Sequence, residues 1–475
     1  MIPMTAGEIA TIVGGQLSHL DSQVVIDQFP VIDSRLATKE TFFVAFSGEH
    51  VDGHDFVASA IAAGSPFALT SQEVNFPSIQ VSDVQVALGK LAHALRLKLP
   101  NLKVAAVTGS QGKTTTKDLL AHVLKGAGEV IAPAGSLNNE IGVPLTLLRC
   151  TDRTEFCILE MGARHIGDIA KLMEIAEPNV GAVLVVGSAH IGEFGGREAI
   201  ALAKSEMITS LPDGGIAVLG TYDPFTPRMA DGLGLKTIAF GEKPECDVRA
   251  ADIEFREGRA HFDLVTPEGR GSVALELVGA HQIPNALATA AIATALGISL
   301  ESICAALSTA TLASKWRMEM HEVNGLLLIN DSYNANPESM AAALRTLALL
   351  AQERGGVTWA FLGKMHELGE SSAADHAAIG RLTRDIGIDH LVAVSAPEYL
   401  SDLAGDGSPS DSHFAMVEHV SNQIVEAAQL AEHFTAGDVV LVKASRSEHF
   451  EELADLLLKN WSAQSSATTD GEGER

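Results

Sequence analysis

Only 4 cysteines occur in 475 residues, Cys150, Cys157, Cys246 and Cys304, and no two form a CxxC pair. That excludes a disulfide-stapled secreted fold and the paired spacing of a zinc ribbon. It leaves four core or surface thiols suited to a reducing compartment. Long apolar runs are also missing: no uninterrupted stretch reaches the ~18–20 residues that cross a bilayer. The opening "MIPMTAGEIATIVGG" has no basic segment ahead of an apolar one, so no secretion signal is expected and the cytoplasm is the expected location. Positive charge is scarce, with 33 Lys+Arg against 60 Asp+Glu and a net charge of −27. Such a field repels a phosphate backbone and excludes a nucleic-acid partner. It does not exclude a small anion, because a cluster of amide N–H groups with one or two lysines reverses the field locally.

What is present is ordinary globular material, 46% hydrophobic and 20% charged. The chain is too long for one core, and domains of ~100–200 residues imply three. Residues 1–100 mix short helices and strands into a small α/β domain. "VALGKLAHALRLKLPN" reads as a helix stopped by Pro100, leading into a second domain. Over 101–313, strand candidates Lys103–Val107, Phe156–Leu159, Val180–Val186 and Ile216–Leu219 alternate with helices such as Thr115–Leu124 and Arg197–Thr209. Alternation of this kind predicts a mostly parallel, doubly wound sheet. The pattern restarts at 314 with "LLLIND", a helix opened by Pro337, "VTWAFLG", "HLVAV" and "DVVLVKAS", predicting a second, Rossmann-like α/β domain over 314–460. The polar, acidic end, 461–475, reads as a disordered tail. No internal repeat is visible.

The sharpest local signal is "VAAVTGSQGKTTTKDLLAHVL", residues 104–124. A strand, a glycine-bearing loop and a helix form the architecture of a P-loop. Successive amides of Thr108, Gly109, Ser110, Gln111, Gly112, Lys113, Thr114 and Thr115 would cradle phosphates at the helix N-terminus. Lys113 would neutralise the β- and γ-phosphates, and the Thr114 hydroxyl would ligate Mg²⁺. Val107 stands where the general pattern has glycine, so the glycine spacing is the shorter variant. Two further groups fall at strand ends on the same expected rim. "FCILEMGA" puts Glu160 there, a candidate metal ligand or water holder. "VGAVLVVGSAHIGEFGG" puts His190 there, either structural or a ligand. Lys204 lies among apolar neighbours in "EAIALAKSEMI". It either snorkels to solvent or takes up carbon dioxide to become a carbamate, an oxygen ligand.

In order, "TGSQGKTTT", "LEMGARHIGDI", "SAHIGEFG", "LAKSEM", "GAHQIPNALATAA" and "INDSYNANPESM" closely resemble the Mur ligase family of ATP-dependent amide-bond enzymes. The resemblance covers all but the tail. "DSYNANPESM" and "LGKMHELGE" resemble the branch that adds D-alanyl-D-alanine to UDP-N-acetylmuramoyl-tripeptide in peptidoglycan precursor synthesis. The resemblance implies a UDP-binding N-terminal domain, a central ATP-binding domain and a C-terminal ligase domain. It implies two Mg²⁺ ions, one on Thr114 and Glu160 and one on His190 and a carbamylated Lys204. Asn285 would contact adenine, and Arg317 and Asp331 the ribose or phosphates. Asn138 would lie in a loop directed at the reacting phosphate. Ser34, Arg35, Gly48, Asp52 and His54 would hold the UDP part of the acceptor, and Asn334 and Asn336 would face the dipeptide. A monomer is expected. Three departures stand out: Gln282 follows the histidine where asparagine is usual, Trp316 precedes Arg317 where glycine is usual, and Lys364 replaces an acidic residue. His50, Asp52 and His54 have metal-like spacing, but the segment reads as a substrate loop. The competing readings are a tripeptide-forming Mur ligase, folylpolyglutamate synthase, or a non-catalytic ATP-binding regulator.

Overall fold

The computed structural model describes residues 1–48, 50–188, 191–403, 416–420 and 424–471. Near the N-terminus a helix, Ala6–Val13, is capped by Thr5 and closed by Gly14 at φ +69°. It accompanies a five-stranded sheet of short strands, ordered Gln16–Ser18, Ser78–Gln80, Ala68–Thr70, Thr41–Val44 and Phe29–Val31. The helix Val84–Lys98 then leads out, N-capped by Asp83. Its buried face joins the apolar core of this first unit to that of the next, so Ile9, Leu88, Val104 and Leu172 belong to one continuous cluster. Arg96 fastens the junction by donating to the carbonyls of Ala176 (3.1 Å) and Glu177 (3.1 Å).

The second unit contains β1 (Lys103–Thr108), α1 (Lys113–Leu124), β2 (Thr154–Glu160), β3 (Val180–Val183), α2 (Arg197–Thr209) and α3 (Gln282–Ala295). Its sheet has nine strands, and β1 lies between β2 and β3. Both pairings are parallel, with Glu160 level with Val107 and Val183 level with Thr108. Three strand ends therefore open on one rim, at the point where the strand order reverses. Ligands bind at such a crevice in open α/β sheets. The sheet departs from the expected parallel alternation at one edge. Val248–Arg256, Arg259–Thr266 and Gly269–Val278 form an antiparallel meander. Arg259–Thr266 alternates half-buried and buried residues strictly, the period-two signature of a one-sided strand.

The third unit carries β4 (Leu326–Asn330), α4 (Pro337–Arg354) and β5 (Val439–Lys443). Its six-stranded sheet runs Glu319–Val323, β4, β5, Thr358–Leu362, His390–Val394, Met416–Val420. Only the first of these is antiparallel to its neighbour. Pro337 sits in the first turn of α4, where its missing N–H is no loss. Asn336 and Ser339 form a capping box, and Gly355 ends the helix at φ +71°. The expected disordered tail is corrected in part. The last helix runs Phe450–Gly471, and Trp461 is buried with its indole N–H donating to Val323 O at 2.8 Å. The leucine pattern that buries Leu453 and Leu457 continues to Trp461, which outweighs the polar composition beyond it. Among the described residues, no helix is long and apolar enough to cross a membrane.

Candidate active site

A cavity of about 490 Å³ opens between the second and third units, with the loop after β1 on one wall and Arg317, Asp331 and Lys443 on the other. The loop turns into α1 through Gly112 at φ +82°. A Cβ at that position would lie 2.4 Å from Asn285 Oδ1, so glycine is required by conformation and by contact. Lys113 donates to Gly109 O at 2.7 Å, folded onto its own loop. Burial pushes its ammonium pKa down, while Glu160 opposes that shift and Arg317 adds to it.

Glu160 ends β2 and is buried. One carboxylate oxygen accepts from the Thr114 hydroxyl at 2.9 Å, the other from Asn138 Nδ2 at 2.9 Å. Thr114 also meets Ser136 Oγ at 2.9 Å. Arg317 reaches across from the third unit, its Nη2 3.0 Å from Thr114 Oγ1 and its guanidinium 3.9 Å from the Tyr333 ring centroid. Asp331 accepts from Lys443 Nζ at 2.6 Å and from Met318 N at 3.1 Å. Trp316 stands at φ +59° and Met318 at φ +51°, on either side of Arg317. Trp316 thus keeps the left-handed conformation that a glycine adopts freely, held by Tyr333 N on its carbonyl (3.0 Å) and by Arg446 over its ring (4.3 Å).

The adenine-side residues form a chain of amides. Asn285 Nδ2 donates to Gln282 Oε1 at 3.0 Å, so the Gln282 amide nitrogen faces His281 Nε2, also at 3.0 Å. His281 is therefore neutral with its proton on Nδ1, and Nδ1 is buried with no partner among the described residues. Burial lowers its pKa to about 4, with Asp331 opposing and Lys443 reinforcing. On α2, Lys204 is 4% exposed. Burial, with Lys113 nearby, brings its pKa down to about 7. The snorkelling alternative for Lys204 is overturned: its head lies inside. His190 lies outside the described residues.

Three family descriptions match in sequence: "Mur ligase family, catalytic domain" over 28–113, "Mur ligase middle domain" over 107–293, and "Mur ligase, glutamate ligase domain" over 316–446. The chain is 38% identical to the UDP-N-acetylmuramoyl-tripeptide–D-alanyl-D-alanine ligase of Mycobacterium tuberculosis, over 96% of this chain and 98% of that one. It is 33% identical to the enzyme of the same name from Escherichia coli, over 97% and 99%. Among solved structures, MurF from Acinetobacter baumannii superposes with a TM-score of 0.85 at 34% identity, covering 96% of this chain and 99% of that one. MurF from Thermotoga maritima in complex with ADP does so at 0.78 and 29%, covering 92% and 99%. The chain belongs to the Mur ligase family.

In this Mur ligase, residues expected at the nucleotide and the dipeptide converge. Ser110–Thr115, Asn138, Glu160, Asn285, Arg317, Asp331, Asn334 and Asn336 all line the one cavity. Two carry other duties. Asn336 Oδ1 caps α4, and Asn334 Oδ1 accepts from Ala335 N. Thr108 is buried behind the loop, and its hydroxyl has no partner among the described residues. The residues expected at UDP lie outside this cavity. Arg35 is 87% exposed by side chain and paired to Asp33, and Ser34 begins the same short turn. Gly48 N–H donates to Val51 O at 2.9 Å. His54 is committed: Nδ1 faces Asp52 at 2.6 Å and Nε2 accepts from Ser71 N at 3.0 Å. Asp52 also caps the turn at His54 N, and its carboxyl pKa falls to about 2, chiefly through that backbone N–H and the His54 side chain. The pair braces the loop and leaves neither imidazole nitrogen for a ligand. Sequence reasoning missed Ser136, Tyr333 and Lys443. The signal for Lys443 was present: a lone charge closing the apolar run "VVLV" is buried to 1% exposure.

Proposed function

We propose that this Mur ligase joins D-alanyl-D-alanine to the terminal carboxylate of UDP-N-acetylmuramoyl-tripeptide, with ATP cleaved to ADP and phosphate. The observation that carries the reading is the Thr114–Glu160 pair at the mouth of a phosphate loop, closed over by Arg317 from the opposite unit. End-to-end similarity to ligases of that name supports the substrate assignment. Carboxylate and amine do not condense in water, because oxide is too poor a leaving group. The acceptor carboxylate attacks the γ-phosphorus as the bond to ADP breaks, leaving an acyl phosphate. The dipeptide amine then attacks the acyl carbon, loses a proton, and expels phosphate that carries one of the acceptor's oxygens.

Each step suits the groups present. Loop amides and Lys113 hold the transferring phosphates. Thr114 and Glu160 offer hard oxygen donors 2.9 Å apart, a set that fits Mg²⁺. Bound there, Mg²⁺ supplies charge neutralisation for an anionic nucleophile meeting an anionic phosphate. Asn138 and Ser136 orient the two donors. A second cation would be held by His190 and Lys204: an amine with a pKa of about 7 is partly uncharged at neutral pH, so it could add carbon dioxide, lose a proton and become an oxygen donor. His281 Nδ1 and Asn285 face adenine, Arg317 and Asp331 the ribose and phosphates, and Asn334 and Asn336 the dipeptide. Ser34, Arg35 and Gly48 meet UDP, with Asp52 and His54 bracing their loop. We place the enzyme in the cytoplasm as a monomer. The test is acceptor labelled with oxygen-18 at its terminal carboxylate. One label per turnover appears in phosphate and the product mass gains D-alanyl-D-alanine. Unlabelled phosphate, or a product formed only with another amine, refutes the reading.

A further inference from the structure

We propose that Glu338 is a positioning residue that latches the third unit onto the loop after β3 and, through it, onto the phosphate loop. Three consecutive amides follow that strand. Val186 N–H donates to Asp223 Oδ2 at 2.9 Å, and Gly187 N–H to Ser110 Oγ at 2.8 Å. Ser188 N–H donates to Glu338 Oε1 at 2.9 Å, and the Ser188 hydroxyl to Glu338 Oε2 at 2.7 Å. Each amide is thus held by a side chain from a different part of the molecule: the turn after Ile216–Gly220, the phosphate loop, and the third unit. A Cβ at Gly187 would stand 3.2 Å from Glu338 Oε1 and 3.3 Å from Ser110 Cβ, so the three segments are in close contact. A second contact supports the first, since Gly192 packs against the backbone of Gly369.

Glu338 follows Pro337 in the first turn of α4, where the helix dipole favours an anion. Its two bonds are charge-assisted and form only when the third unit is seated. The loop they grip runs two residues short of His190. A carboxylate beside a polyphosphate site is otherwise unfavourable, so its use as a domain latch gives it a reason to be there. Seating the third unit therefore fixes Ser188, then Gly187, then Ser110, and the phosphate loop is set at the moment the cavity closes.

The inference rests on the ligase reading above for its effect on turnover, but the latch itself is read without turnover. Hydrogen exchange is followed in the peptide spanning 184–196 of the full-length protein, with a saturating non-hydrolysable ATP analogue and the acceptor added to seat the third unit, for wild type, Glu338→Ala, Glu338→Gln and Ser188→Ala. Exchange at 187–188 rises about tenfold in both Glu338 variants and less in Ser188→Ala, while β1 stays protected. Glutamine has the shape but not the charge, so it follows alanine if the carboxylate latches. In the ligase assay, both Glu338 variants lose about tenfold in kcat, with KM for ATP within about threefold. Wild-type exchange in Glu338→Gln, or wild-type kcat in Glu338→Ala, overturns the proposal. If Glu338→Ala does not fold, Ser188→Ala decides: unchanged exchange there sinks it. If wild type releases no phosphate with D-alanyl-D-alanine, the ligase reading fails, and the exchange result still decides the latch.

Discussion

At the scale of single residues, the site turns on two groups whose burial sets their protonation. Lys204 has a pKa near 7 because its head is buried with Lys113 nearby. As an ammonium it would oppose a cation, and as a carbamate it would hold one. Lys204→Ala should lose activity by about three orders of magnitude, the scale of removing one preorganised electrostatic group. Small carboxylic acids should restore part of it; a fully active variant would refute the carbamate. His281 gives a pH signature. Its folded pKa, about 4, lies below its ordinary value of 6.5. The unfolded chain therefore binds the proton first as pH falls. The stability of the neutral ring is complete above 6.5 and declines toward 4, with a ceiling of about 3 kcal/mol that solvent at the cavity mouth reduces. Urea midpoints should fall between pH 7 and 4.5 more steeply for wild type than for His281→Gln, and equal slopes would contradict this. Glu160, Lys113 and Thr114 were legible because chemistry dictates their types and a strand end dictates their place. Ser136 and Tyr333 were not, since serine and tyrosine in loops have many uses and only the fold brings these two beside Thr114 and Arg317. Asp52 and His54 read as ligand contacts, yet in the fold they bond each other, Ser71 and Gln72.

At the scale of elements, α1 does more than present phosphate-binding amides. Lys117 is buried and donates to the carbonyls of Pro133 and Gly135, each at 3.0 Å, and pairs with Asp118 at 2.7 Å. Asp118 in turn accepts from Ser314 N at 3.0 Å, at the entry to the third unit. One turn of helix thus anchors the Ser136–Asn138 loop and the interdomain connection together. Lys117→Met should cost about 3–5 kcal/mol, because it strands a buried carboxylate and two carbonyls. The double change Lys117→Met with Asp118→Leu should recover part of the loss in thermal unfolding; no recovery would deny the pairing. The alternating strands and helices around β1, β2 and β3 were readable because parallel strands buried on both faces are short apolar runs between turn signals. The antiparallel meander was not, since its residues alternate with polar ones and mimic loop composition. The final helix was underestimated because polar residues follow Trp461, whereas tertiary packing of its apolar face decides its start and course.

At the scale of the whole molecule, the two junctions differ in kind. The first and second units share one apolar core, and Arg96 ties the helix between them to carbonyls of the second. Opening that junction would expose apolar surface at roughly 25 cal/mol per Å². The second and third units share a smaller apolar contact, with Val278 in the third unit's core, and meet through polar bonds around a cavity: Asp118 to Ser314, Thr114 to Arg317, Ser188 to Glu338. Such contacts exchange readily with water, and interfaces of this kind permit domain motion. The connection near Ser314 also stores local strain, with Trp316 and Met318 both at positive φ. The sequence marks a boundary between units near residue 100, but composition does not reveal that the core runs through it. Closure over ATP should therefore be a rotation of the third unit about 314, with the first two moving as one body. Spin labels on the first and second units should keep their distance when a non-hydrolysable ATP analogue and the acceptor are added. Labels on the second and third should shorten theirs, and Arg317→Ala should weaken that shortening by removing the bridge to Thr114. A change confined to the first pair would place the hinge at 100 and overturn the argument.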